Sequence, residues 1–229
     1  MPAISVIICS HNKPQYVMQA IQSVIDQTMT DWNAILVDSG VLLDSGFFSQ
    51  IKDSRIEIVR SNEPKDLPNA ASWVFNRVLD SGKISGELVM YLCDDDVFYP
   101  NAFESIWDFY NKNGKPDAFY GHEHYGLGRN GQTIIQSQRI ADIPRGMKAG
   151  GARLDGVVDY LQLCHTAKLI DAIKKAFPNE SVHSERAEDR RHADGIFFEK
   201  LATLTPVIPM NTWIGINRRT EVSIAEVNG

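Results

Sequence analysis

A chain of 229 residues with 43% hydrophobic and 23% charged residues has enough apolar surface for a substantial core, and its composition excludes disordered and fibrous classes. The formal net charge of -6 argues against a broad nucleic-acid-binding face, and no apolar stretch approaches the ~20 residues that span a bilayer. Three widely separated cysteines, Cys9, Cys93 and Cys164, lie in apolar runs without CxxC spacing, which predicts buried thiols in a reducing cytoplasm and no zinc site. The start, Met1-Pro2-Ala3-Ile4, enters a strand pattern at once and carries no secretory leader pattern.

The first strand, Ile4–Cys9, runs into the polar turn Ser10-His11-Asn12-Lys13-Pro14, whose proline can open a helix. Val17, Ile21, Val24 and Ile25 then recur at helical spacing, and the helix is expected to end near Thr28. Trp32–Val37 is the second strand, stopping at Asp38-Ser39-Gly40. Such a βαβ unit is right-handed and puts both strand ends on one edge. A short helix over Ser45–Ile51 and a third strand at Ile56–Arg60 follow. The loop from Ser61 to Leu67 opens at the same edge, where Lys65 could meet a phosphate or simply be solvated. Pro68 starts a helix with Ala71, Val74, Phe75, Val78 and Leu79 inward, stopped by Gly82.

Leu88–Cys93 is a short apolar run that suits a central strand buried on both faces, and it ends in Asp94-Asp95-Asp96. Loops leaving parallel strands splay at that edge, which is where open α/β sheets bind ligands. Three adjacent carboxylates repel one another, so a hard divalent cation with oxygen ligands, Mn2+ or Mg2+, is the expected partner; the competing reading is a solvated acidic turn. A helix bearing Phe103, Ile106, Trp107 and Tyr110 and a strand at Asp117–Gly121 complete the regular part.

Beyond residue 121 the alternation breaks. Tyr125–Leu127 and Thr133–Gln136 read as a hairpin across Asn130-Gly131, and Pro144–Gly151 as a loop. Val157–Cys164 is expected to be a strand, Thr166–Phe177 a helix, Pro178–His192 a charged loop, and Ala193–Ala202 a helix. Val207–Met210 and Trp213–Ile216 are expected as two short strands before a tail. His122 and His124 share a strand face, but no third ligand is in reach, so they read as cleft or surface residues; Arg186, Arg190 and Arg191 read as a solvated charged loop.

Three stretches together resemble the inverting family 2 glycosyltransferases of the GT-A fold, and within them the spore-coat polysaccharide branch: Ser5–Lys13 with Gln27-Thr28; Tyr91–Asp96 with Pro100; and Ala193-Asp194-Gly195-Ile196-Phe197-Phe198. The resemblance implies a single GT-A domain, an α/β fold with a mixed, mainly parallel sheet flanked by helices. Residues 1–121 would form the nucleotide-sugar half, 122–220 an irregular acceptor half, and 221–229 a tail. It implies transfer of a sugar from a nucleoside diphosphate sugar, UDP- or TDP-type, to an acceptor hydroxyl, with a divalent metal. Asp95 matches the metal-binding Asp of the DxD-type motif, with Asp96 extending the cluster, and Asp94 matches a ribose contact. Cys93 stands where the motif's first Asp is usual. Ser10, His11, Asp38 and Ser39 fall where the family holds base and ribose, and Ser39 replaces an Asp common in uracil recognition. Lys65 approximates a basic nucleotide contact. Asp194 matches the catalytic base, although a helix-capping Asp is the ordinary alternative. Asp159 and His165 match residues that meet sugar or acceptor, against the commoner outcome of a histidine satisfied by backbone. A sugar nucleotidyltransferase is disfavoured because the first turn has no glycine. A non-catalytic nucleotide- or glycan-binding domain would have no need of Asp194.

Overall fold

A computed structural model describes residues 1–61, 70–140, 158–189 and 192–220. Lys65, Pro68, the Pro144–Gly151 loop, Arg190, Arg191 and the tail lie outside the described residues. The elements are β1 (Ile4–Ser10), α1 (Pro14–Ile25), β2 (Trp32–Asp38), β3 (Ile56–Arg60), α2 (Ala70–Asp80), β4 (Leu88–Cys93), β5 (Val97–Phe98), α3 (Ala102–Lys112), β6 (Ala118–Arg129), β7 (Gln132–Arg139), β8 (Leu163–Thr166), α4 (Ala167–Ala176), α5 (Ala193–Leu204) and β9 (Val207–Thr220). Single 3-10 turns occur at Phe47–Gln50, Tyr160–Gln162 and Ala187–Asp189.

The strands form one sheet in the order β3-β2-β1-β4-β8-β6-β9-β5, with β7 on β6. From β3 to β4 all pairs are parallel. β8 then pairs antiparallel with both β4 and β6, and β6 runs parallel to β9. The parallel half is apolar on both faces because helices cover both. Ile4, Val6 and Ile8 of β1 join Val17, Ile21 and Phe103 of α1 and α3. Ile7 and Cys9 join Val74 and Phe75 of α2 and Phe197 of α5. Each fully buried Val, Ile or Phe contributes ~1.5–3 kcal/mol, so these two layers hold the sheet edge rigid.

Two positions where that edge turns depend on backbone freedom. Asn12 adopts φ +54, and its Oδ1 accepts the Val41 N–H at 2.9 Å. A Cβ on Gly40 would lie 2.1 Å from that oxygen, so a larger residue there would push the Asn12 side chain off the Val41 N–H. Asn130 (φ +50) and Gly131 (φ +74) form the two-residue hairpin turn between β6 and β7.

Three expectations are corrected. The strand expected at Val157–Cys164 begins only at Leu163 among the described residues. Asp159 and Gln162 build a capping box instead, Gln162 Oε1 accepting the Asp159 N–H at 3.0 Å, and the local hydrogen bonds override the β-rich composition. The two short terminal strands are one strand, β9, with extra residues looped out between Pro209 and Trp213, where Asn211 takes φ +52. The strand expected to stop at Gly121 continues to Arg129 as the first arm of the hairpin. Among the described residues no helix is long and apolar enough to cross a membrane.

Candidate active site

The carboxylates leave β4 at the carboxyl edge of the parallel strands, beside the β1–α1 loop. Asp94 Oδ2 accepts the His11 N–H at 2.7 Å. The Lys13 ammonium bridges Asp94 Oδ1 at 3.1 Å and Asp95 Oδ2 at 2.9 Å, all three side chains being nearly buried. Burial pushes the Asp94 carboxyl up to about 6, with Lys13 opposing and Asp95 reinforcing the rise. The strand end thus sets three neighbouring acids against the Lys13 ammonium on one side and the Arg218 guanidinium on the other. The sequence signal for Lys13 is a basic side chain in a loop that faces an acidic strand end.

Asp96 has a different neighbourhood from its two predecessors. Its Oδ1 accepts the Arg218 backbone N–H at 2.9 Å, and the residue is 3% exposed. Burial and the charge of Asp95 push its carboxyl well above the ordinary range. Asp96, which follows the turn that carries Asp94 and Asp95, anchors β9 through this bond. Arg218, which no sequence motif marks, also donates through Nε to the Asp95 carbonyl and through Nη1 to Thr133 Oγ1 at 3.2 Å. Among the described residues no three His, Cys, Asp or Glu side chains converge as a ready-made metal cage.

At the edge of β1 and β2, His11 is exposed and its Nδ1 lies 3.0 Å from Ser39 Oγ. Ser10 and Asp38 are fully buried. Asp38 accepts the N–H groups of Leu43 at 2.8 Å and Gly40 at 3.3 Å. These bonds shape the loop from which Ser39 and His11 emerge.

Asp194 sits at the second position of α5, and its Oδ1 accepts the neighbouring Gly195 N–H at 2.8 Å. The N-cap is His192, without a side-chain cap, so Asp194 is not the capping residue. Burial, then the charge of Asp159, pushes Asp194 up to about 7, with the Gly195 N–H and Arg139 opposing. Asp159 is the link between the two acid groups, since its carboxylate is charge-coupled both to Asp95 and to Asp194. Arg139 lies 2.9 Å from Glu123 Oε1 and 3.8 Å from Asp159 Oδ2. Glu123 is fully buried, with Oε2 unpaired, and burial pushes it up to about 9. No motif in the sequence pairs Glu123 with Arg139.

His165 takes the second of its two expected outcomes, a histidine satisfied within the core. β8 is an interior strand buried on both faces, and His165 shares hydrogen bonds with Tyr91 Oη at 2.9 Å and the Thr166 carbonyl at 2.9 Å. Burial lowers it to about 4, so it is a neutral core residue out of reach of a substrate. His183 lies 3.2 Å from both Tyr91 Oη and Tyr160 Oη, and its ring packs 4.1 Å from that of Phe197. This buried network ties the base of the carboxylate strand to the turn after Asp159 and to α5. His124 and Trp213 stack at 4.3 Å, and Tyr99 Oη lies 2.6 Å from His124 Nδ1, placing the histidine pair in an aromatic cluster outside this acid network.

The arrangement offers an acid group at the strand end and, within electrostatic reach of Asp159, a carboxylate able to take up a proton near neutrality. Comparison with known proteins bears on its use. Protein CgeD of Bacillus subtilis is 25% identical over 225 residues, covering 95% of this chain and 50% of that protein. Poly(ribitol-phosphate) beta-N-acetylglucosaminyltransferase TarP of Staphylococcus aureus is 29% identical over 136 residues, 58% of this chain and 40% of that one. The chain thus spans half or less of the length of these relatives. Residues 1–349 of S. aureus TarS, in a crystal structure with UDP-GlcNAc, superpose with a TM-score of 0.67 at 15% identity, covering 95% of this chain and 59% of that one. The mannosyltransferase PcManGT of Pyrobaculum calidifontis, in complex with GDP-Man and Mn2+, gives 0.59 at 14% identity over 94% of this chain and 56% of that one. At such identities these structures speak for a shared GT-A-type α/β fold. The family model described as "Glycosyl transferase family 2" matches residues 5–157, from β1 through the carboxylate strand and the hairpin, and the chain belongs to that family.

Proposed function

We propose that this chain is an inverting glycosyltransferase that moves a sugar from a nucleoside diphosphate sugar, of UDP or TDP type, to an acceptor hydroxyl, with Asp194 as base. The observation that carries the reading is that Asp159 lies within electrostatic reach of both Asp95 at the strand end and Asp194 at the start of α5, so the two carboxylates belong to one acid cluster. Residues 1–121 bind the donor, His11 and Ser39 meeting the nucleoside and Asp94 the ribose, and residues from 122 onward form the acceptor side. TarS and PcManGT, whose structures hold UDP-GlcNAc and GDP-Man, support donors of this class.

In the reaction the acceptor oxygen forms a bond to the anomeric carbon from the face opposite the diphosphate. Its proton passes to the Asp194 carboxylate, and the bond from the anomeric carbon to the diphosphate oxygen breaks, the electron pair leaving with the nucleoside diphosphate. One in-line displacement inverts the anomeric centre. The raised proton affinity of Asp194 suits it to this task at neutral pH. Arg139 holds Asp159 near Asp194 while limiting the build-up of negative charge.

The strand end fits a divalent cation. Three acids against the Lys13 ammonium and the Arg218 guanidinium leave the strand end acidic, and Asp95 would be the residue to hold a divalent ion there. When bound, Mn2+ or Mg2+ neutralises charge developing on the departing diphosphate. Melting the protein with UDP, TDP, GDP and their sugars, with and without Mn2+, tests the donor class. One nucleotide series should raise the midpoint, more with Mn2+, since ligand at ~100 times its Kd stabilises by ~2.7 kcal/mol. No shift with any of them at millimolar concentration would overturn the reading.

A further inference from the structure

We infer that Lys13 is a built-in counter-cation that a divalent ion must displace from Asp95, and that the released ammonium then pairs with the donor's diphosphate. This rests on the donor reading above. Lys13 Nζ lies 2.9 Å from Asp95 Oδ2, the oxygen an ion bound to this residue would compete for, and it holds Asp94 Oδ1 at 3.1 Å. An ion at the ~2.0–2.2 Å ligand distance on that oxygen would stand within a few ångströms of the ammonium, and two cations so close repel strongly inside a protein. An ion and the ammonium cannot both hold that oxygen in the present arrangement.

The side chain, unlike its backbone, is free to move. The Lys13 carbonyl accepts the N–H groups of Tyr16 and Val17, both at 3.0 Å, and Pro14 opens α1 immediately after it, so the Cα is pinned at the mouth of the crevice. The ammonium sits at the end of a flexible four-carbon stem and can change partner without any movement of the main chain. Asp94 meanwhile keeps the His11 N–H at 2.7 Å as a second partner, so the strand end holds its shape when the lysine leaves.

The consequence is coupling between ion and donor. Without diphosphate, an ion gains Asp95 only at the expense of the lysine pair, and it binds weakly. With diphosphate present, both cations have anionic partners, and each ligand raises the affinity for the other by the same factor. Lys13 makes the site favour the ion together with the diphosphate over the ion alone.

The test is Mn2+ binding followed by the paramagnetic resonance signal of free Mn2+, with and without UDP, for wild type, Lys13→Met and Lys13→Arg. Matching circular dichroism melts establish that the variants are folded. Lys13→Met should bind Mn2+ alone ~10-fold more tightly than wild type, and UDP should enhance that binding ~10-fold less than it does in wild type. Lys13→Arg should retain most of the wild-type coupling. Equal Mn2+ affinity in wild type and Lys13→Met, with equal enhancement by UDP, would reduce Lys13 to a structural ion pair and overturn the inference while leaving the donor reading intact. If wild type binds Mn2+ but no nucleoside diphosphate in the melting panel, the donor reading falls and this inference falls with it.

Discussion

Asp194→Asn should lower sugar transfer by ~10²–10⁴-fold, the usual worth of a positioned general base, while nucleoside diphosphate affinity changes by less than about twofold. The substitution is nearly isosteric, and an amide oxygen can still accept the Gly195 N–H that the carboxylate now takes at 2.8 Å. Local structure at the start of α5 should therefore persist, and the loss isolates the proton acceptor. Binding should be spared because the donor side is built from Lys13, Asp94 and Asp95 on β4 and the β1–α1 loop. Initial rates of nucleoside diphosphate release in the presence of acceptor, beside calorimetric titration of the nucleotide, measure the two quantities separately. Transfer within about tenfold of wild type would remove Asp194 from the role of base.

Arg218→Ala should destabilise the fold by ~3–5 kcal/mol, as removal of one partner from a buried charged cluster does. Arg218 is 3% exposed and lies over the Tyr16 ring at 5.3 Å. Its side chain gathers the Asp95 carbonyl, Gln19 Oε1 and Thr133 Oγ1, joining the strand end, α1 and the hairpin. Truncation strips the positive charge from beside Asp95 and Asp96 and leaves those acceptors without it. For a chain of this size the loss corresponds to a midpoint roughly 6–20 °C lower. Arg218→Lys keeps the charge without the planar fork and should fall between the two. Urea unfolding gives the free energy directly; a change under about 1 kcal/mol would show that water replaces the guanidinium at no cost.

The parallel half was legible nearly to the residue. Ile56–Arg60 and Leu88–Cys93 are short apolar runs covered by helices on both faces, and burial of that kind leaves an unambiguous mark on a sequence. The second half was harder because local geometry breaks its patterns. Pro209 and Asn211 interrupt β9 and made one strand look like two. The Glu123–Arg139 pair was hidden by a bulge: counted back from Arg129↔Gln132, a regular hairpin sets Glu123 opposite Gln138, and the shift at Tyr125/Gly126 moves it onto Arg139. Spacing placed Asp94, Asp95 and Asp96 at the correct sheet edge, but adjacency could not tell that Asp95 turns to Lys13 while Asp96 turns to Arg218. Arg218 itself joins the acids from 122 residues away in a strand without a motif. His165 lies fully buried in β8, and its place in an apolar run is the mark of a histidine satisfied within the core.

The pH dependence of kcat/KM for transfer tests most directly the claim that Asp194 works as base inside the coupled acid cluster. A base acts only when deprotonated, and burial beside Asp159 pushes this one up to about 7. Between about pH 5 and about pH 9 the rate should climb through a single limb near neutrality and then level off. A rate already at its plateau at about pH 5, as an ordinary exposed carboxylate would give, contradicts the account.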